Sequence, residues 1–431
     1  EVGAVANNLT ENQYGLASTK HRWNVSGTYQ QVVPDYFSTA ADGKSDKRYF
    51  LHDYFDSMPH MATSIFLKGY QWPFHVSRLQ DGGSSLVDIA VHREIMDGRR
   101  VFMDFMNNPT PAEGMDEFRI EDMYEEGRTY LEKSGAFQET PYERLQHMNR
   151  RAIDLYGEND IDLREPLEVA VCAQHTNGGL RGNEWWETNI GHLFAIGELN
   201  GTHGVRPGGS ALNSGQVGAS RTAQYIANVY KQAPEQVDSF TEAVKSQVEQ
   251  RHAEYSHYLN AGQEAVELNN IRPDIQERMT EYAAFMRSEE GINKALEEAR
   301  ELYHSILEKG INCPSRKSLI RATEDKFLAL TSIAFLEAMK YYIENGGGSR
   351  GAFMVLDDNG DLTVDSKRGT EMRHRSENME KRKEILEVQQ KDDKPGKFEV
   401  EPISIRPLPD DQSWYETTWA DWETGRVFEK Q

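Results

Sequence analysis

At 431 residues, with 38% hydrophobic and 27% charged side chains, the chain is long enough for two or three cored domains of globular type. Its 70 acidic against 48 basic residues give a net charge of −22, a field that repels phosphate backbones and anionic lipid and argues against nucleic acid or membrane surfaces as partners. No apolar run reaches the roughly 18 residues a membrane span needs, and two cysteines, Cys172 and Cys313, are too few for a disulfide framework, an iron–sulfur cluster or a zinc site, which makes a reducing cytoplasm the expected compartment.

In chain order, residues 1 to about 45 read as short strands and loops, with Gly27–Val33 a predicted strand before Pro34. The chain opens at Glu1 without Met or a signal-peptide pattern, and the expectation is that it begins inside a longer gene product. The tripeptides starting at Asn8 and Asn24 would be glycosylation acceptors only in a secreted protein. From 46 to 165 the pattern predicts a helix over Ser84–Gly98, a strand over Arg100–Phe105, and helices over Pro111–Lys133 and Pro141–Tyr156. Strands follow over Leu167–Ala173 and His192–Ile196, then a helix from Gly215 to Lys231. Residues 234–346 carry long amphipathic helices, for example Ala295–Leu307. The last part predicts a hairpin, Phe353–Leu356 against Leu362–Val364 around Asp358-Asn359-Gly360, then a charged helix over 371–390 and an extended, Pro-containing tail.

The chemistry concentrates between 174 and 221. A strand delivers Gln174-His175-Thr176-Asn177 to Gly178-Gly179; a second apolar stretch ends in Gly197-Glu198; and His203-Gly204-Val205-Arg206-Pro207-Gly208-Gly209 leads through Asn213-Ser214-Gly215 into a helix. Glycines let backbone approach a flat ring or a phosphate, N–H groups at a helix start favour negative charge, and a carboxylate after a strand's last glycine suits a sugar hydroxyl. Each piece alone is an ordinary turn more often than a site; the ordered set within about 50 residues is not.

The order His-Thr-x-Gly-Gly, Leu-Phe-Ala-x-Gly-Glu, His-Gly-x-Arg-x-Gly-Gly and Asn-Ser before a helix resembles the succinate dehydrogenase/fumarate reductase flavoprotein family, which includes L-aspartate oxidase and the adenylylsulfate reductase α subunit. Leu86–Asp104 is similar to that family's capping domain, Met279–Leu302 to its helical domain, and Ser349-Arg350-Gly351-Ala352 to a later motif. The resemblance implies an α/β fold, α+β overall. It would consist of parts of a Rossmann-like FAD-binding domain at 1–45 and 166–232, an α+β capping domain at 46–165, a helical domain at 233–346, and a hairpin and tail at 347–431. It implies FAD as cofactor, bound through Glu198, Asn213, Ser214, Gly215, Thr176, Gly178 and Gly179. It gives Arg206 and His175 catalytic and substrate-binding roles, with His203 also contacting substrate and no metal. Arg206 would clamp a substrate anion beside the flavin by a bidentate guanidinium.

Departures narrow the substrate. The arginine that supplies a proton in fumarate-reducing members is replaced by Val87 beside Asp88; the first histidine of their His-x-Thr falls on Gln174; and the early substrate histidine falls within Gly15–Ser18, with His21 nearby. The loop around Arg206 is one residue short before it and longer before Asn213. No Gly-x-Gly-x-x-Gly follows an early strand, so the pyrophosphate of the cofactor has no dedicated sequence.

The reading is thus an FAD-dependent oxidoreductase moving two electrons or a hydride to or from a small, anionic substrate other than succinate or fumarate. The rivals are an adenylylsulfate reductase-like α subunit served by a separate ferredoxin-like iron–sulfur partner, and a non-catalytic truncated module. Of the remaining residues, Trp185-Trp186 reads as packing, and His203 as a site or a structural histidine. His75 and Arg78 read as acid or anion-binding candidates, and Asp88, His92 and Arg93 as a solvated helix face. His252 and His257, five apart, do not share a helix face as metal ligands need.

Overall fold

The computed structural model describes residues 2–203, 210–233, 235–364, 372–391, 395–407, 410 and 413–429. Helix and sheet are mixed, as expected, and the chain forms two compact units, each gathering discontinuous segments. One comprises Glu1–Glu11, Thr176–Gly347 and Asn378–Gln431; the other comprises Asn12–His175 and Gly348–Glu377.

The second unit is built on a sheet in the order Asn12–Ser18, Leu167–Thr176, Arg100–Asp104, Asp35–Thr39. The last two run antiparallel with Phe37 opposite Phe102, whose rings stack at 5.3 Å. Helix Ser85–Met96 buries Leu86, Val87, Ile89, Ala90 and Val91, and helix Pro141–Gly157 starts in a capping box in which Glu143 N donates to Thr140 Oγ1 at 3.2 Å and Thr140 N to Glu143 at 3.1 Å. The expected solvated face of the 85–96 helix is a correction. Asp88 is fully buried with Lys68 Nζ 2.5 Å from its carboxylate, and His92 is 7% exposed. Helical spacing alone does not say which stripe meets a neighbour, and here Asp88 faces Lys68 at the end of helix Met58–Leu67.

Three further expectations fail in this unit. Gly27–Val33 is not a strand: Gly27 sits at φ +58, Gln30 N bonds Gly27 O at 3.1 Å, and a short helix Thr28–Gln31 results. Of Pro111–Lys133 only Glu125–Lys133 is α-helical, since Gly114 at φ +82 and the flanking prolines hold the earlier part irregular. The strands Met354–Leu356 and Leu362–Val364 are not paired with each other, because Met372–His374 lies between them and His374 pairs with both Leu356 and Leu362.

The first unit carries an antiparallel sheet in the order Phe398–Ser404, Glu384–Gln390, Ala6–Asn7, Gly179–Leu180. Helix Ser318–Glu344 lies on it, Ala334 and Ala338 meeting Leu9 and Val388, and packs against helices Glu289–Lys309 and Leu268–Tyr282. The charged helix expected over 371–390 is instead strand Met372–His374, a 3-10 turn and strand Glu384–Gln390. Leu386 and Val388 alternate inward, and strands pair on both sides, which outweighs the helical bias of Glu and Lys. The expected strand His192–Ile196 is reduced to a single bridge, Glu187 with Phe194, because His192 turns at φ +66.

Candidate functional site

Within the first unit, backbone brought close by small residues positions the site. Strand Gly179–Leu180 pairs with Ala6–Asn7, Asn7 opposite Gly179. A Cβ at Gly179 would lie 2.2 Å from Leu199 O, and one at Gly178 2.5 Å from Asn8 O. These glycines are therefore demanded by protein packing, whatever else they face. Asn8 Nδ2 donates to Gly201 O at 2.7 Å, Gly182 N to Thr202 Oγ1 at 3.0 Å, and Thr202 N to Asn200 Oδ1 at 2.9 Å, locking the Gly-Gly turn to the segment 199–203. Asn177, between Thr176 and Gly178, is fully buried, yet its side-chain amide has no hydrogen-bond partner among the described residues.

The turn Gly197–Leu199 comes next. Gly197 adopts φ +70, open to glycine at little cost, and a Cβ there would lie 3.4 Å from Gly215 Cα in helix Ser210–Val229. That contact sets exposed Glu198 beside the first turns of the helix, where Asn213 is exposed and Ser214 and Gly215 are half-buried. Among the described residues, the side-chain position of Gly215 meets nothing within 4 Å. Leu199 and Leu212 are exposed in the same neighbourhood. An open, side-chain-free helix surface flanked by apolar residues, a carboxylate and hydroxyl and amide groups is what the ring half of a flavin needs. These residues fit that half.

His203 ends the 3-10 turn Gly201–His203, and among the described residues its Nε2 is met by Ser214 Oγ at 2.8 Å and by the indole N–H of Trp186, which donates at 3.2 Å. Trp186 is held by Gly218, where a Cβ would lie 2.8 Å from Nε1, and by Arg221, whose guanidinium lies 5.7 Å from the Trp186 ring and 4.7 Å from that of Trp185. Burial pushes the Arg221 pKa down. Trp185 does pack, stacking on Tyr225 and Phe428 at 5.2 Å each. Trp186 does something more specific than packing, which the sequence reading missed. The available signal was Ser214, Gly218 and Arg221 at spacings of four and three, one face of a helix.

The structure thus brings Gly178, Gly179, Glu198, His203, Ser214 and Gly215 into one neighbourhood. Thr176 lies at an exposed strand end. His175 is half-buried and belongs to the other unit. Arg206 and the rest of 204–209 lie outside the described residues. In the second unit, the positions of the three departures have structural duties. Val87 is buried, Gln174 Nε2 donates to Gly15 O at 3.1 Å, and Ser18 Oγ bonds Tyr156 Oη at 2.7 Å. His75 Nδ1 meets Ser77 Oγ at 2.7 Å, and Arg78 donates to the carbonyls of Gln71 and Pro73.

No family model matches the chain. It is 32% identical over 175 residues to a subunit of the fumarate reductase (CoM/CoB) of Methanothermobacter marburgensis, a match covering 40% of this chain and 30% of that protein. It is 33% identical over 183 residues to an uncharacterized FAD-dependent oxidoreductase of Methanocaldococcus jannaschii, covering 42% and 32%. Its fold resembles an E. coli quinol fumarate reductase FrdA chain, with a TM-score of 0.58 at 18% identity over 95% of this chain and 61% of that one. It also resembles Mycobacterium smegmatis Sdh1, with a TM-score of 0.60 at 13% identity over 98% and 59%. The matches span about a third of the curated relatives' length and about three fifths of the solved chains. The resemblance read from the motifs is borne out in sequence and in fold. Among the described residues, no helix is long and apolar enough to cross a membrane.

Proposed function

We propose that this chain belongs to an FAD-dependent oxidoreductase of the fumarate reductase/succinate dehydrogenase flavoprotein type. It would move two electrons or a hydride between flavin and a small, anionic substrate. The observation that carries the reading is the convergence of Glu198, His203, Ser214 and the open Gly215 at the first turns of helix Ser210–Val229, held by the Gly197 approach. Glu198, Asn213, Ser214 and Gly215, with Thr176 and the turn at Gly178 and Gly179, would hold the cofactor, which supplies the electron chemistry. The chain's own groups bind and orient. Arg206 would clamp the substrate anion in two parallel hydrogen bonds, and His203 would contact the substrate.

The substrate is other than succinate or fumarate on this reading. Val87 offers no proton at its position, and Gln174 and Ser18 are committed to structural bonds where the family places histidines. With only Cys172 and Cys313 among these 431 residues, any iron–sulfur electron carrier, ferredoxin-like or otherwise, would hold its cluster outside this sequence.

The test is the visible spectrum of the protein expressed from its complete gene and of this chain alone. A yellow complete protein supports the proposal, and a colourless one overturns it. In the yellow protein, Arg206→Ala is expected to keep the flavin while lowering kcat/KM about 100-fold or more, the scale of losing a bidentate charged contact. Loss of the flavin instead would reassign Arg206 to the cofactor.

A further inference from the structure

We propose that Trp186 is a positioning residue that fixes His203 in the neutral tautomer protonated on Nδ1, so that Nε2 accepts and the donor of this histidine is its Nδ1–H. The relevance to the site rests on the functional reading above; the tautomer stands on geometry.

An indole N–H donates and never accepts. Trp186 Nε1 lies 3.2 Å from His203 Nε2, so that nitrogen must offer its lone pair. In a neutral imidazole the proton then resides on Nδ1. Ser214 Oγ approaches the same Nε2 at 2.8 Å, and a hydroxyl can donate there too, so both neighbours act on one atom in the same sense. An imidazolium would set Nε2–H against the indole N–H, donor against donor, and would add a positive charge near Arg221, whose guanidinium lies over the Trp186 ring.

The placement of the indole is imposed by the fold. Trp186 adopts φ +66, a conformation a bulky residue rarely takes, and its surroundings enforce it. Asn183 organises the turn: its Oδ1 accepts from Trp185 N at 2.8 Å and Glu187 N at 3.0 Å, and its carbonyl accepts from Trp186 N at 3.0 Å. Ala195 N then bonds Trp186 O at 2.9 Å. Gly218 leaves the notch in which Nε1 sits, since a Cβ there would come within 2.8 Å of it. Strained backbone, a glycine notch and a guanidinium over the ring all act to hold one N–H against one nitrogen.

The experiment is long-range 1H–15N spectroscopy on this chain with labelled histidine and tryptophan at neutral pH. The expected result is an Nδ1–H pattern for His203 and a scalar coupling across the hydrogen bond between Trp186 Nε1 and His203 Nε2. Trp186→Phe keeps a ring and removes the donor, and should move the tautomer ratio about fivefold or more toward Nε2–H. A protonated Nε2 in the unsubstituted chain, or an unchanged ratio in the variant, overturns the proposal. Should the variant not fold, judged by loss of the Trp185 indole signal's dispersion, the coupling and tautomer of the unsubstituted chain decide alone. A colourless complete protein would sink the flavin reading and leave this result untouched.

Discussion

The two units each hold polar groups away from water, and they do so in opposite ways. In one, Lys68 and Asp88 form an ion pair with both side chains fully buried, closed in by the core of helix Ser85–Met96. In the other, His203, Ser214 and Trp186 form a hydrogen-bonded group at the half-buried start of a helix, beside an open glycine. Burial without access makes the first pair a matter of stability. Partial burial with directional bonds makes the second a place where chemistry can be done. Charge content alone would have ranked them the other way.

The comparison can be broken most forcefully at Asp88. Asp88→Ala strands a buried ammonium and is expected to cost about 3–5 kcal/mol, whereas Lys68→Met with Asp88→Leu should restore most of it, because an apolar pair of similar volume needs no compensation. Urea unfolding of both variants measures this. An Asp88→Ala loss below about 1 kcal/mol would show that the pair is not sealed.

His92 sharpens the same contrast. Burial depresses its pKa from the ordinary 6.5 to about 4, so the unfolded chain binds the extra proton between those values and the folded chain does not. Its contribution is complete above about pH 6.5 and is lost as pH falls toward 4, by up to about 3 kcal/mol. Asp88, raised by burial to about 6, titrates with the opposite sign over much of that window. The His92 effect is therefore the difference between the unsubstituted chain and His92→Gln in unfolding free energy against pH; parallel curves would refute it.

The smallest expected effect belongs to the other unit. Gly218→Ala gains about 1 kcal/mol of helix propensity and loses the notch for Trp186, so stability should change by less than about 1 kcal/mol. The Trp186 indole N–H resonance should nevertheless move, because its Nε1 lies 2.8 Å from where the new methyl would stand. A silent indole resonance would mean that the notch is not what seats the ring.

Much of this was legible beforehand where local chemistry is decisive. The glycine order around 174–215 pointed to the neighbourhood that the fold assembles, because close backbone approach leaves glycine little alternative. Helix Pro141–Gly157 was readable from its proline, early acid and apolar spacing. Arg206 was singled out by the family resemblance, and it lies outside the described residues.

The misreadings share one physical cause. The segment 384–390 is charged enough to be a helix in isolation, but strands on both sides claim its backbone. Met354–Leu356 and Leu362–Val364 have hairpin spacing, yet Met372–His374 enters between them, and no local signal announces a strand arriving from downstream. Asp88 looks like surface until helix Met58–Leu67 ends beside it in Lys68, and His92 until the fold buries it. Trp186 looks like packing until a turn closed by Asn183 points its N–H at a histidine 17 residues on.

The sequence by itself determined the family resemblance, the glycine-built neighbourhood and the groups available within it, because these depend on residue type and short spacing. Tertiary structure decided which charges are sealed, which strands pair and which nitrogen of His203 carries the proton. Each of those depends on a partner distant in the chain, whose desolvation or hydrogen bond outweighs local preference.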